Sequence, residues 1–432
     1  MKIYLLSLGC AKNTVDSECL AGALGRAGHE IVERIELADA AIVNTCAFIR
    51  PAAEESIDAI LDLEQMKLDG HLKKVGVVGC LLNRYGGELV QEMPNIDIWA
   101  RSEEWDKVVA QLGGCPEIGR CRLPLPSTSR YSRYLKISEG CDNRCTYCAI
   151  PAIRGRLRSM PIDIILSEAA QLVREGAKEL CVVGQDLTAY GADLGGGSDS
   201  LIDLLDALET SLPGEVWIRL LYLHPSRVTV RLLERVASGR QIVPYLDIPV
   251  QHGDERILAA MNRHIEAERL ISIFKTAREI NPDFALRTTI MVGFPGEKKS
   301  HFENTLEFVR KVSFDRIGAF QFYAEDGTEA ANLPGQVSNA TKRKRLDALM
   351  ALQEEISFRR QELFVGKEMK VLVEKVDEEA GIAEGRSFRE APEVDGVVEI
   401  RNIRNGLREG DVVKVRMIEA MPHDMIGEEV II

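Results

Sequence analysis

Runs of apolar residues that stop at a cysteine dominate the first hundred positions. Lys2 to Leu8 leads to Cys10, Ala40-Ala41-Ile42-Val43-Asn44-Thr45 to Cys46, and Val75-Gly76-Val77-Val78-Gly79 to Cys80. None alternates apolar with polar, so each predicts a strand of a parallel sheet buried on both faces. The cysteines fall about 35 residues apart, the length of one βαβ unit, and helical stretches from Val15 to Gly28 and from Ala52 to Met66 fill the intervals. Strand and helix patterns alternate again from Tyr134. Strands are predicted at Tyr134 to Glu139, Glu179 to Gln185, Val216 to Tyr222, Tyr245 to Val250, Ala285 to Val292 and Arg316 to Tyr323, with helices between them such as Pro161 to Glu175 and Ser300 to Val312. Repeated βα units imply a second parallel sheet. Beyond a helical stretch from Asn339 to Leu363 the period becomes two, as in Met369 to Val376 and Asp411 to Ile418, which predicts a small β-barrel of the OB type. The Pro-, Ser- and Arg-rich segment between Cys115 and Arg133, with Pro116, Pro124 and Pro126, predicts an extended connector. The expected organisation is an α/β domain at 1–117, a linker at 118–130, a second α/β domain at 131–362 and a β domain at 363–432.

A chain of 432 residues with 45% hydrophobic content has ample material for two or three packed cores. Its net charge of -13 argues against a protein that coats nucleic acid electrostatically. No apolar stretch approaches the length of a membrane span, and the N-terminus reads as a strand rather than a leader, so a soluble cytoplasmic protein is expected. Ten cysteines in reducing surroundings point to metal rather than disulfides.

Cys141, Cys145 and Cys148 lie on one tight loop, Gly140-Cys141-Asp142-Asn143-Arg144-Cys145-Thr146-Tyr147-Cys148. Three thiolates at this spacing can hold three irons of a cubane cluster and leave the fourth open. Zinc would ordinarily close with a fourth Cys or His nearby, and the next histidine is His224. Cys10, Cys46 and Cys80, each at a strand end, would converge on the carboxyl edge of their sheet, where ligand sites lie. Single small residues at strand ends are ordinarily just buried, but three in register predict a second cluster.

The CxxxCxxC loop and its continuation Ala149-Ile150-Pro151-Ala152-Ile153-Arg154-Gly155-Arg156 resemble the radical S-adenosylmethionine (SAM) superfamily. Ser7 to Glu18 and Asn44 to Ile49 resemble the amino-terminal domain of its methylthiotransferases. The resemblance implies a partial (βα)6 barrel, a terminal TRAM domain and two [4Fe-4S] clusters, the one on Cys10, Cys46 and Cys80 carrying the sulfur to be inserted. It also implies that Gln185 and Asp186 hold the SAM amino group, that Gly293 in the Val292-Gly293-Phe294-Pro295 turn lies near the adenine, and that Tyr147 packs against cluster and adenine. It names no catalytic side chain. His252, after the fourth strand, reads equally as a ligand or base and as a satisfied loop histidine. Cys19 and Cys181 read as helix and strand residues, and Cys115 and Cys121 as flanks of the connector.

Within that family one branch modifies an adenosine of transfer RNA and another an aspartate of the twelfth protein of the small ribosomal subunit. Asp186 after Gln185, Leu8, Lys12, Phe48-Ile49 and Ala391-Pro392-Glu393-Val394-Asp395-Gly396 are similar to the second branch; Ala11 and Leu187 depart from it at positions that are not ligands. From Phe364 to Ile432 there are ten Lys and Arg against sixteen Asp and Glu, the wrong sign for gripping a phosphate backbone and the right one for a basic ribosomal protein. The partners expected are that protein and a small electron carrier such as a flavodoxin or ferredoxin, with nucleic acid secondary. The basic run Lys342-Arg343-Lys344-Arg345 reads as a solvated helix face that could also touch RNA. The rival readings are a tRNA adenosine methylthiotransferase and a non-enzymatic iron-sulfur carrier.

Overall fold

The computed structural model describes residues 1–115, 121–197 and 199–431. They form two compact units. The first holds Met1–Ser129, Glu139–Asn143 and Cys148–Arg158; the second holds Arg130–Ser138, Arg144–Tyr147 and Ser159–Ile432.

In the first unit β1 (Lys2–Ser7), β2 (Glu30–Val32), β3 (Ala40–Thr45), β4 (Lys74–Gly79) and β5 (Ile98–Ala100) make one parallel sheet in the order β2-β1-β3-β4-β5. Every residue of β3 is buried, as expected of a central strand covered on both faces. α1 (Ala11–Arg26), α2 (Arg50–Leu68) and α3 (Cys80–Glu92) follow β1, β3 and β4. The edge strands β2 and β5 escaped the sequence reading because three residues carry too little pattern. The described part of the connector has neither helix nor strand. Its residues 121–129 pack on α1: Leu123 donates to the Glu18 carbonyl at 3.0 Å, and Arg122 Nε forms a buried ion pair with Glu18 at 3.0 Å. Gly22 permits this crossing, since a Cβ there would stand 2.2 Å from the Cys121 carbonyl oxygen. Pro116 and the expected 117/118 edge fall outside the described residues.

In the second unit the six predicted strands are present and parallel, two or three residues shorter at several ends. Ser132–Lys136, Glu179–Val183 and Trp217–Leu220 pair in chain order, as do Tyr245–Asp247, Ala285–Val292 and Arg316–Gln321. A parallel bridge from Ile218 to Ile242 joins the two triplets. Intervening helices include Ile162–Arg174, Ala267–Ile280 and Lys299–Val312. This is the expected run of six βα units.

The helix Asn339–Glu362 then leads to five strands, Glu368–Asp377, Ile382–Arg386, Val398–Arg401, Val412–Ala420 and Met425–Glu429, which close a barrel. Val412–Ala420 alternates exposed and buried positions, the origin of its period-two pattern. The barrel is tied to the beginnings of the central strands by buried charges. Glu179 accepts from Arg219 at 2.7 Å and from Arg386 at 2.8 Å, and Asp315 accepts from Arg389 at 3.0 Å and Arg360 at 3.1 Å. Burial pushes the Glu179 carboxyl up, but the two guanidinium groups overcome it and hold the group at about 2. The Tyr245 hydroxyl donates to Asp395 at 2.6 Å, and Arg316 pairs with Glu390 at 3.3 Å. Part of the acidic charge read as facing a partner is therefore spent internally, because a buried charge must be paired.

Candidate metal centres

The amino-terminal cysteines occupy the ends of three strands that are adjacent in the sheet. Cys10 is the N-cap of α1, Cys46 follows β3, and Cys80 opens α3 immediately after β4. Cys10 is exposed, whereas Cys46 and Cys80 are buried. Gly9, at φ +96°, lies against Cys46: a Cβ on it would meet the Cys46 Cβ at 2.7 Å and its Sγ at 3.0 Å. Gly79, at φ +102°, would put a Cβ 2.3 Å from Asn44 Oδ1. Both places need glycine.

Side chains from the two quoted motif stretches lock this edge. Asn13 donates to the Leu8 carbonyl at 2.8 Å and the Thr45 carbonyl at 2.9 Å. Asn44 donates to the Asn13 carbonyl at 3.0 Å and to Ser17 Oγ at 2.8 Å, and Thr45 Oγ1 donates to the Val78 carbonyl at 2.7 Å. Ser56 both accepts from the Cys46 N–H and donates to its carbonyl.

Electrostatically the three thiols are one system. Burial pushes Cys80 up to about 12, with Cys10 and Cys46 adding to the rise and Arg154 opposing it. Cys46 is raised by burial and by Cys10, against Arg154. Metal binding at such thiols requires loss of their protons and is therefore coupled to pH. Arg154 carries no local signal in the sequence, where it stands only in the continuation past Cys148. Among the described residues, no three Cys, His, Asp or Glu side chains close around one ion position.

The loop from Gly140 to Cys148 is shared by the two units, Cys141 and Cys148 counting with the first and Cys145 and Tyr147 with the second. In the first unit, the Cys141 N–H donates to the Gly155 carbonyl at 3.1 Å, and a Cβ on Gly140 would stand 2.0 Å from the Arg156 carbonyl oxygen. In the second, Thr146 donates through N to the Met261 carbonyl at 3.1 Å and through Oγ1 to the Ala260 carbonyl at 2.8 Å, while Asn262 donates to the Arg144 carbonyl at 2.7 Å. Buried Arg263 faces Cys145 and Tyr147, and Tyr147 packs on the apolar core.

Gln185 is half-buried directly after its strand. Asp186 caps the turn Leu187–Ala189 through Thr188 N at 3.0 Å and pairs with Arg227 at 2.6 Å. Gly293, at φ +77°, donates to Glu297, which also accepts from the Phe294 N–H at 3.1 Å and pairs with Arg345 at 3.1 Å. A Cβ on Gly293 would meet Lys342 Cγ at 2.3 Å. Lys342 and Arg345 thus face inward, and only Arg343 and Lys344 of the basic run are exposed. His252 is buried, accepts from the Asp254 N–H at 3.0 Å and contacts Thr305 Oγ1 at 3.2 Å. Burial lowers it to about 3, which favours the neutral form. Cys19 lies in α1 and Cys181 in a strand, both buried, as read.

Family comparisons agree with this anatomy. Residues 2–101 match uncharacterized protein family UPF0004, 135–309 the radical SAM superfamily and 365–430 the TRAM domain. Solved radical SAM structures share the fold at low identity. The methyltransferase TsrM from Kitasatospora setae aligns at TM-score 0.55 with 13% identity, over 87% of this chain and 79% of its own. Cobalamin-dependent OxsB aligns at 0.51 with 13% identity, over 82% of this chain and 56% of its own. Fold and cysteine loop thus define a radical SAM enzyme, one that works with SAM and an iron-sulfur cluster. The chain is 42% identical to the ribosomal protein uS12 methylthiotransferase RimO of Pelotomaculum thermopropionicum, covering 100% of both. It is 40% identical to that of Carboxydothermus hydrogenoformans, covering 99% of each, and 40% identical to that of Geobacter sulfurreducens, covering 99% of this chain and 98% of the relative. The chain belongs to the RimO family of methylthiotransferases.

Proposed function

We propose that this chain adds a methylthio group to the β-carbon of an aspartate in ribosomal protein uS12, using one [4Fe-4S] cluster on Cys141, Cys145 and Cys148 and a second on Cys10, Cys46 and Cys80. The observation that carries the second cluster is the alignment of three cysteines at the ends of adjacent strands, with Gly9 pressed against Cys46 and a buried arginine at Cys80. When bound, the two clusters supply an electron to cleave SAM reductively and a sulfur to be methylated and inserted, chemistry that an unactivated C–H bond demands and side chains cannot provide.

The chain's own residues bind, orient and exclude water. Gln185, Tyr147 and Gly293 are assigned to SAM, with Glu297 fixing the two N–H groups of the Gly293 turn. Asp186, which also caps the turn after it and pairs with Arg227, is assigned with Gln185 to the SAM amino group. Exposed acids of the β domain, among them Asp377, Glu378, Glu379 and Glu393, suit a basic protein substrate, since complementary potentials set orientation and on-rate. A small flavodoxin- or ferredoxin-like protein is the natural electron donor, and the cytoplasm the natural location; among the described residues no helix is long and apolar enough to cross a membrane.

The test is anaerobic turnover of the reconstituted enzyme with SAM and reductant, offering uS12 and bulk tRNA together, then mass spectrometry of both. A methylthio adduct on the uS12 aspartate is the expected result. An adduct on tRNA alone overturns the substrate while leaving the cluster chemistry in place.

A further inference from the structure

Arg154 ends the short helix Ile150–Arg154, and its side chain is 3% exposed. Its Nε donates to Cys80 Sγ at 3.2 Å, while Nη1 reaches Asp16 at 2.6 Å and Glu139 at 3.1 Å. Nη2 donates to Asn13 Oδ1. Asn13 in turn holds the carbonyls of Leu8 and Thr45, at the ends of β1 and β3. One guanidinium therefore spans a thiol, two buried carboxylates and the amide that fixes the other two cysteine-bearing turns. Pairing with Asp16 and Glu139 alone would satisfy a structural arginine. Here those carboxylates instead hold the planar fork so that its remaining donor points at sulfur.

We propose that Arg154 is a positioning residue for a cluster on Cys10, Cys46 and Cys80, donating to the Cys80 thiolate and thereby raising the cluster's reduction potential. The inference rests on the reading of these three cysteines as cluster ligands. A cation and a hydrogen bond at a ligand sulfur stabilise the more negative, reduced form, and such contacts to sulfur are among the determinants of iron-sulfur potentials. Arg154 lies six positions past Cys148 in the chain, so the same stretch that carries one set of ligands supplies the charge that tunes the other.

The test uses the full chain with Cys141, Cys145 and Cys148 replaced by alanine, so that only the amino-terminal cluster is loaded. Iron content, melting temperature and an EPR-monitored redox titration are compared among this parent, Arg154→Gln and Arg154→Lys. The expected outcome is a shift of the midpoint to more negative potential in Arg154→Gln, and a smaller shift of the same sign in Arg154→Lys, which keeps the charge without the fork. Equal midpoints in all three, at full iron load, overturn the proposal. Should Arg154→Gln not fold, because Asp16 and Glu139 are left buried and unpaired, Arg154→Lys alone decides: a negative shift supports the tuning role and an unchanged midpoint overturns it. A parent that binds no iron fails earlier, at the cluster reading itself, and takes this inference with it.

Discussion

The two cysteine sets are built on opposite principles. Cys141, Cys145 and Cys148 are neighbours in the chain, and their spacing alone keeps them together. Cys10, Cys46 and Cys80 are separated by whole βα units and meet only because β1, β3 and β4 are adjacent in the sheet. The loop set is half-buried, whereas two of the three strand-end cysteines are fully buried beside an internal arginine. A site made by spacing survives small changes in the fold. A site made by topology depends on every contact that sets the strand ends.

The comparison breaks most sharply at the ligands. Cys145→Ala is expected to abolish deoxyadenosine formation from SAM, by at least on the order of a thousandfold, since no acid-base route replaces it. Cys80→Ala is expected to leave SAM cleavage standing while methylthio transfer is lost. Each change should remove about four irons per chain. Deoxyadenosine yield and iron content measured side by side check the division; a Cys80→Ala protein that no longer cleaves SAM would merge the two sites into one.

Next come the glycines. Gly9→Ala forces an alanine to φ +96° against Cys46, a strain of about 1–3 kcal/mol before any clash is counted. It is expected to lower the first unit's melting temperature and to lose the amino-terminal iron while SAM cleavage persists. Gly140→Ala, which drives a Cβ into the Arg156 carbonyl, is expected to do the converse. If Gly9→Ala keeps its full iron, the strand ends are more forgiving than this packing implies.

A milder change tests the Gly293 turn of the second unit alone. Glu297 accepts from the Gly293 and Phe294 N–H groups and pairs with Arg345, so Glu297→Gln loses charge-assisted bonds worth about 1.5–3 kcal/mol. SAM affinity of the reconstituted enzyme, read by calorimetry, is expected to fall about tenfold with the iron content of both clusters intact. Unchanged affinity would detach the Gly293 turn from SAM.

Much of this was legible in the sequence because it rests on short-range pattern. The apolar runs ending in cysteine gave the three central strands, and Ala285 to Val292 is a strand over the residues read. The partners of those features were not legible, because they come from distant segments. Arg154 meets Asp16 and Cys80 across 138 and 74 positions. Lys342 and Arg345 looked like a solvated run until the fold laid them beside Gly293 and Glu297. Nor was the second setting of Asp186 legible: a carboxylate two residues before Thr188 also caps a turn, and here it pairs with Arg227 as well.

His252 makes the smallest contrast, because it too follows a strand end and is there buried, accepting from the Asp254 N–H. Burial lowers it from 6.5 to about 3, with Asp254 raising it and His301 and Arg345 lowering it. Between those values the unfolded chain binds a proton that the folded one refuses, so stability rises with pH across the window and is lost as pH falls from 6.5 toward 3. One such group contributes a slope of up to about 1.4 kcal/mol per pH unit. His224, also lowered to about 3 by burial, adds a slope of the same sign. His252→Asn keeps an acceptor for the Asp254 N–H and is expected to remove its own contribution, flattening denaturant stability between pH 5 and 6.5 with SAM cleavage unchanged at pH 7.5. If stability keeps its slope while cleavage falls, His252 acts on the chemistry, and a strand-end position in the second unit carries function as it does in the first.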